Sequence, residues 1–125
     1  MSTSDQLRFG ICGLGFMGRT YFNHLSKHTN AKVVALCDAD EDRRNGRWPQ
    51  PTGNIGNVRE EAVDMSGIKS YATPAELVAD ADVDAIAITL PTPAHPDVTE
   101  LALQAGKHAL CEKPMARDLA GCDRM

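Results

Sequence analysis

The segment Leu7-Arg8-Phe9-Gly10-Ile11-Cys12-Gly13-Leu14-Gly15-Phe16-Met17-Gly18 constrains the fold more than any other part of the chain, because an apolar run opens directly into G-x-G-x-x-G. Strand, glycine turn and helix in that order are what the first crossover of a parallel βαβ unit needs. In that setting Gly13 permits the tight turn, Gly15 lets a ligand approach the backbone, and Gly18 lets the helix lie close on the strand. The free amides of the first helical turn, those of Phe16 and Met17, would face an anion with the positive end of the helix dipole behind them. A dinucleotide pyrophosphate suits such a nest. The same residues nearly spell a P-loop, but Arg19 stands where that motif needs a lysine.

Downstream, short β-rich runs alternate with helical stretches, which predicts a doubly wound α/β fold with a parallel sheet covered on both faces. Strands are expected at 7–12, 32–37, 68–71, 83–89 and 109–111. The first helix is expected from about Phe16 to His28, and a helical turn at Asp40 to Asn45. Gly46 to Asn57, with three Gly and two Pro, reads as a loop that Trp48 could pin, followed by a weak helix at Arg59 to Met65. Thr73-Pro74-Ala75-Glu76 is a helix start with Thr73 as N-cap and Glu76 closing a capping box. The helix after Pro93 would bury Val98, Leu101, Ala102 and Ala105, with Gly106 as C-cap. A last helix starts at Met115, and the pattern breaks off before a sixth strand. The usual strand order puts the first strand between the second and fourth, with ligand over the carboxyl ends.

The 125 residues, 42% hydrophobic and 24% charged, suit one globular domain from Leu7 onward, with Met1 to Gln6 as a frayed tail rather than a signal peptide. A net charge of −4 argues against nucleic acid or an anionic membrane as partner. No apolar run is long enough to span a bilayer. Four cysteines without a C-x-x-C are expected as buried thiols in a reducing cytoplasm rather than disulfides or metal ligands, with Cys12 and Cys37 on neighbouring strands.

Asp38 ends the second strand about twenty positions after Gly18, where an acidic residue accepts bonds from the adenosine ribose of NAD and repels the 2′-phosphate of NADP. Its bland alternative is a helix N-cap. Arg43 and Arg44 lie close enough to accommodate that phosphate, yet the balance favours NAD. The loop Leu90-Pro91-Thr92-Pro93-Ala94-His95 lies across the switch point from the glycine turn and would line the nicotinamide half of the site, with Thr92 able to cap the next helix. His95 could bond cofactor or substrate, or serve only structure. Glu112-Lys113-Pro114 follows an apolar strand at the ligand-binding end of the sheet. A lysine partly desolvated beside a cationic nicotinamide suits proton exchange with an alcohol or carbonyl, although most Glu-Lys pairs are solvated charges. The Lys113–Pro114 peptide could be cis, which would re-aim the lysine, although most such bonds are trans.

G-L-G-F-M-G at 13–18, C-D-A-D at 37–40, L-P-T-P-A-H at 90–95 and A-G-K-H-A-L-C-E-K-P at 105–114 resemble the amino-terminal half of the Gfo/Idh/MocA oxidoreductases (glucose–fructose oxidoreductase and inositol dehydrogenase type). The resemblance implies a Rossmann domain and hydride transfer between NAD(P) and a hydroxyl or carbonyl carbon of a sugar, inositol or related polyol. It implies Lys113 in catalysis, Glu112 on the nicotinamide ribose, and Leu90, Pro91, Thr92 and His95 around the cofactor. Asparagine is common in the family where Thr92 stands, and the 46–57 loop is fuller than the compact family version. The resemblance also implies a carboxyl-terminal α/β domain that carries most substrate contacts and usually the homo-oligomer interface. No such domain is expected within these residues, so the chain alone should bind cofactor and turn over little. A non-catalytic NAD sensor and an S-adenosylmethionine-binding domain are the alternatives; neither gives Lys113 a task.

Overall fold

The computed structural model describes residues 5–48 and 61–125. The chain runs through β1 (Leu7–Cys12), α1 (Phe16–Leu25), β2 (Ala31–Cys37), α2 (Glu41–Arg44), β3 (Arg47–Trp48), β4 (Glu61–Ala62), β5 (Lys69–Tyr71), α3 (Pro74–Val78), β6 (Ala85–Ile88), a 3-10 turn (Thr92–Ala94), α4 (His95–Gln104), β7 (His108–Cys111) and α5 (Leu119–Arg124). Five strands form one sheet in the order β5-β2-β1-β6-β7, and every neighbouring pair is parallel. β1 is central, as the doubly wound order requires.

Side-chain alternation along the strands builds a core on each face. On one face Phe9, Ile11, Leu36, Ala85 and Ala87 pack beneath α1 with Phe22, Leu14 and Trp48. On the other, Cys12, Ala35, Cys37, Ile86 and Ile88 pack beneath α3 and α4 with Leu77, Val78, Val98 and Ala102. All four residues of β6 are buried, as in a strand covered on both sides. Cys12 and Cys37 are register partners across β1 and β2, and all four cysteines are free thiols.

The amino end of the sheet is stitched by charge. Arg8 grips Asp84 through Nε at 2.9 Å and Nη2 at 2.8 Å, and its backbone amide donates to the same carboxylate at 2.9 Å. The guanidinium holds Asp84 down at about 2, with its hydrogen bonds as the main cause. Buried Asp80 accepts the Tyr71 hydroxyl at 2.7 Å and Lys69 Nζ at 3.1 Å. Lys107 Nζ caps the carbonyls of Asp80 and Val83 at 2.8 and 2.7 Å.

Several local expectations change. Trp48 is 3% exposed, lies edge-on to Phe22 with ring centroids 5.1 Å apart, and donates to the Arg43 carbonyl at 2.9 Å. That anchoring pulls Arg47–Trp48 into an antiparallel pair with Glu61–Ala62, so residues 61 and 62 are strand where a weak helix is expected. Residues 49–57 of the expected loop lie outside the described residues, as do 59–60 and Met1 to Ser4. Gln6 is not free tail: its side-chain amide bonds Thr29 O at 3.0 Å. The first helix stops at Leu25, before His28. Thr73 caps α3, but Glu76 accepts from the amide of Ala72 rather than that of Thr73. α4 buries His95, Pro96, Val98, Thr99 and Ala102, leaving Leu101 and Ala105 outward. Its face is set by the strands beneath, which meet a different stripe from the one hydrophobicity alone selects. The last helix starts at Leu119, not Met115, because the Asp118 carboxylate caps the Gly121 amide at 2.7 Å. Among the described residues no helix is long and apolar enough to cross a membrane.

Candidate functional site

β1 ends at Cys12, and the chain turns at Gly13 with φ +98, a backbone conformation that disfavours any side chain. Its amide donates to Cys37 O at 2.9 Å, which ties the turn to β2. A side chain at Gly18 would be driven into the Gly13 carbonyl, so glycine there is required by helix–turn contact. That carbonyl is also held by Thr89 Oγ1 at 2.6 Å from the end of β6. Thr89 thus locks the glycine turn from the far side of the switch point, a role its place at the end of an apolar strand does not reveal.

Gly15 is different. A Cβ there would meet nothing within 4 Å, and its φ of −77 is ordinary. No contact among the described residues asks for glycine at this position. Gly15 is the N-cap of α1 without a capping side chain, and the first turn carries no acidic residue. The first-turn amides have no acceptor within the helix. The helix start is bare, with its dipole facing outward.

An open groove of about 500 Å³ lies over this start. It runs from the turn (Gly13, Gly15, Phe16, Met17) past Asp38 and Arg43 to Leu90 and Pro91 at the end of β6. Eight of the candidate residues therefore meet in one place, as a dinucleotide lying across the carboxyl ends of β1, β2 and β6 would need.

Asp38 is not the N-cap of α2: Asp40 takes that job, accepting the Arg43 amide at 3.1 Å. The Asp38 carboxylate instead accepts the Leu14 amide on Oδ2 and the Asp40 amide on Oδ1, each at 2.9 Å. It braces the glycine turn while still facing the groove with lone pairs to spare. The Arg44 guanidinium bonds Ala39 O at 3.1 Å and does not line the groove, whereas Arg43 does.

Thr92 does not cap α4. It opens the 3-10 turn and borders a second, polar groove of about 280 Å³ shared with Pro96, Arg117 and Arg124. His95 is the clearest correction among the candidates. It is 1% exposed, with Nδ1 2.8 Å from Pro114 O and Nε2 2.8 Å from Leu90 O. Each nitrogen faces a backbone carbonyl, so the buried ring is wedged between the loop after β6 and the turn after β7 and offers nothing to a ligand.

Glu112 follows β7, its amide bonded to Ile88 O at 3.0 Å. Its Oε1 accepts the Tyr21 hydroxyl at 2.8 Å, a contact from α1 that spans 91 positions and that helical periodicity, which makes Tyr21 a packing residue, does not disclose. Lys113 is exposed rather than partly desolvated, with no salt bridge to any described residue, and the Lys113–Pro114 peptide is cis. Glu112 and Lys113 stand outside the groove, just after β7, the neighbour of the strand that leads to Leu90 and Pro91.

The donor set fits a dinucleotide: an uncapped helix start, a glycine whose missing side chain serves no described neighbour, and a carboxylate at the end of β2. The family model for oxidoreductases with an NAD-binding Rossmann fold matches residues 7–125. The chain is 36% identical over 120 residues to inositol 2-dehydrogenase 1 of Saccharopolyspora erythraea, which covers 95% of the chain and 32% of that relative. It is 32% identical over 119 residues to myo-inositol 2-dehydrogenase of Thermotoga maritima, covering 95% of the chain and 31% of the relative. The fold superposes on scyllo-inositol dehydrogenase of Lactobacillus casei, solved with NAD(H) and scyllo-inositol, with a TM-score of 0.77 at 26% identity, over 94% of this chain and 31% of that one. The chain thus spans about a third of the length of the relatives it matches, and it belongs to the Gfo/Idh/MocA oxidoreductase family, whose NAD-binding Rossmann fold it carries.

Proposed function

We propose that this chain is the cofactor domain of a dehydrogenase that moves hydride between NAD and a hydroxyl-bearing carbon of a polyol or sugar, with inositols the first substrates to test. The inositol dehydrogenases among its relatives support the substrate class. The observation that carries the cofactor reading is Gly15: a glycine no described neighbour requires, at the bare start of α1, beside Asp38. Gly13 and Gly18 shape the turn, the amides of Phe16 and Met17 face the pyrophosphate, and Leu90 and Pro91 line the groove beyond. Asp38 accepts ribose hydroxyls and, being anionic, favours NAD over NADP. Among the described residues, Arg43 is the cation lining the groove that opposes this choice.

Nicotinamide bound there supplies the hydride acceptor and donor. Glu112 orients the nicotinamide ribose, and Lys113 exchanges the substrate's hydroxyl proton as hydride leaves or joins the same carbon. The residues that choose the substrate belong to a second domain outside these 125 residues, which also supplies the surroundings Lys113 lacks here.

Parallel calorimetric titrations with NADH and NADPH test the reading. Tighter NADH is the expected result. Tighter NADPH moves the weight to Arg43 and reverses the cofactor choice. Binding of neither, by a chain folded by circular dichroism, overturns the proposal.

A further inference from the structure

We propose that Tyr21 is a positioning residue for Glu112, fixing the carboxylate that addresses the nicotinamide half of the cofactor. The inference rests on the reading of Glu112 given above and extends it to a residue of α1.

A glutamate at a strand end is ordinarily free to change rotamer. Here both oxygens are held: Oε1 by the Tyr21 hydroxyl at 2.8 Å, and Oε2 by the Lys113 amide at 3.3 Å. Tyr21 does not line the groove over the glycine turn, so it acts on a ligand there through Glu112 or through the helix it belongs to, and the two routes are separated below. Burial, and then the bond to Glu112 and its charge, raise the phenol above its ordinary value, so it remains a donor at neutral pH. Because α1 is a continuous ten-residue helix, one rigid element presents bare amides at its start and a clamp on Glu112 further along. The spacing between the pyrophosphate end and the nicotinamide end of the site is thereby built into a single helix.

Tyr21→Phe keeps the ring and deletes the bond. The chain is titrated with NADH and with ADP, which lacks the nicotinamide riboside. The expected result is NADH affinity lower by about tenfold, the scale of one hydrogen bond to a charged group, with ADP affinity unchanged. In a Glu112→Ala background, Tyr21→Phe should add nothing. Unchanged NADH affinity, or equal loss for NADH and ADP, overturns the inference; the second outcome would mark Tyr21 as merely structural. A readout without cofactor accompanies this: in tyrosine-labelled NMR, with Tyr71→Phe used for assignment, Glu112→Ala should lower the Tyr21 titration midpoint, and an unmoved midpoint overturns the contact. Normal NADH binding with no Tyr21 effect sinks this inference alone. No NADH binding by the unaltered chain, while the Tyr21 titration still answers to Glu112, sinks the cofactor reading and this inference with it.

Discussion

Asp38 holds the amide of Leu14 at 2.9 Å, so the carboxylate assigned to the ribose also braces the glycine turn that would hold the phosphates. Removing it should therefore damage fold and binding together. Asp38→Ala leaves the Leu14 and Asp40 amides without their acceptor and should cost about 2 kcal/mol, read by urea denaturation. Asp38→Asn retains one acceptor oxygen and should recover part of that stability while losing the preference for NADH over NADPH in calorimetry. An Asp38→Ala chain as stable as the parent would show that the brace carries no weight.

Gly15 and Gly18 should separate cleanly. Gly15→Ala places its methyl in open space, so its unfolding midpoint should stay close to that of the parent while NADH binding weakens at least tenfold, on the scale of a blocked close approach. Gly18→Ala drives a methyl into the Gly13 carbonyl and should cost about 1–3 kcal/mol. Thermal unfolding of the two variants side by side decides it. Equal destabilisation would refute the claim that Gly15 serves a ligand rather than the fold.

These two glycines also mark what local sequence conveys. Strand, turn and helix around 7–18, the acidic end of β2 and the Thr73 cap rest on neighbours a few positions apart, so pattern alone finds them. The buried stripe of α4, the job of His95, the β3–β4 pair under Trp48 and the Tyr21–Glu112 bond depend on what lies across the sheet. Leu101 is apolar yet 38% exposed because no strand runs beneath it, while Thr99 is buried because one does. Periodicity ranks residues by hydrophobicity and knows nothing of the surface each helix must cover.

The Arg8–Asp84 pair predicts an acid limb in stability. Asp84 is depressed to about 2 in the folded chain, below its unfolded value, so its contribution is complete above the unfolded value and fades as pH falls through the folded one. The difference in unfolding midpoint between the parent and Asp84→Asn should be constant near neutrality and shrink between about pH 4 and pH 2. Both side chains are about a third exposed, so the difference should also narrow in salt. A pH-independent difference would mean that Asp84 acts through shape, not charge.

His95→Ala should remove a buried ring and the contact it makes with the carbonyls of Leu90 and Pro114, and cost about 3 kcal/mol in chemical denaturation. Full stability in that variant would contradict the wedge.

Lys113 is exposed and makes no ion pair with any described residue, so Lys113→Ala should leave the unfolding midpoint unchanged. On the proposed function, the same substitution in a full-length dehydrogenase carrying this domain should lower kcat by about 10²–10⁴ with NADH affinity retained. Undiminished turnover would remove Lys113 from the chemistry, and a protein that binds NADH but never turns over would favour a sensor.

The two ends of the sheet are built from different materials. The amino end is cross-braced by Arg8, Asp84, Lys69, Asp80, Tyr71 and Lys107, while the carboxyl end presents bare amides, short loops and side chains with bonding capacity in reserve. Substitutions at Gly15, Leu90 and Pro91 lie at the opposite ends of β1 and β6 from the Arg8–Asp84 brace, a separation at which their energetic effects add rather than couple. A lineage can therefore exchange one ligand preference for another at one rim while the opposite rim keeps the chain above its folding threshold. In this architecture the Arg8–Asp84 rim serves the fold without lining the groove, whereas the opposite rim serves ligand and fold at once wherever Asp38, Gly18 or His95 is involved.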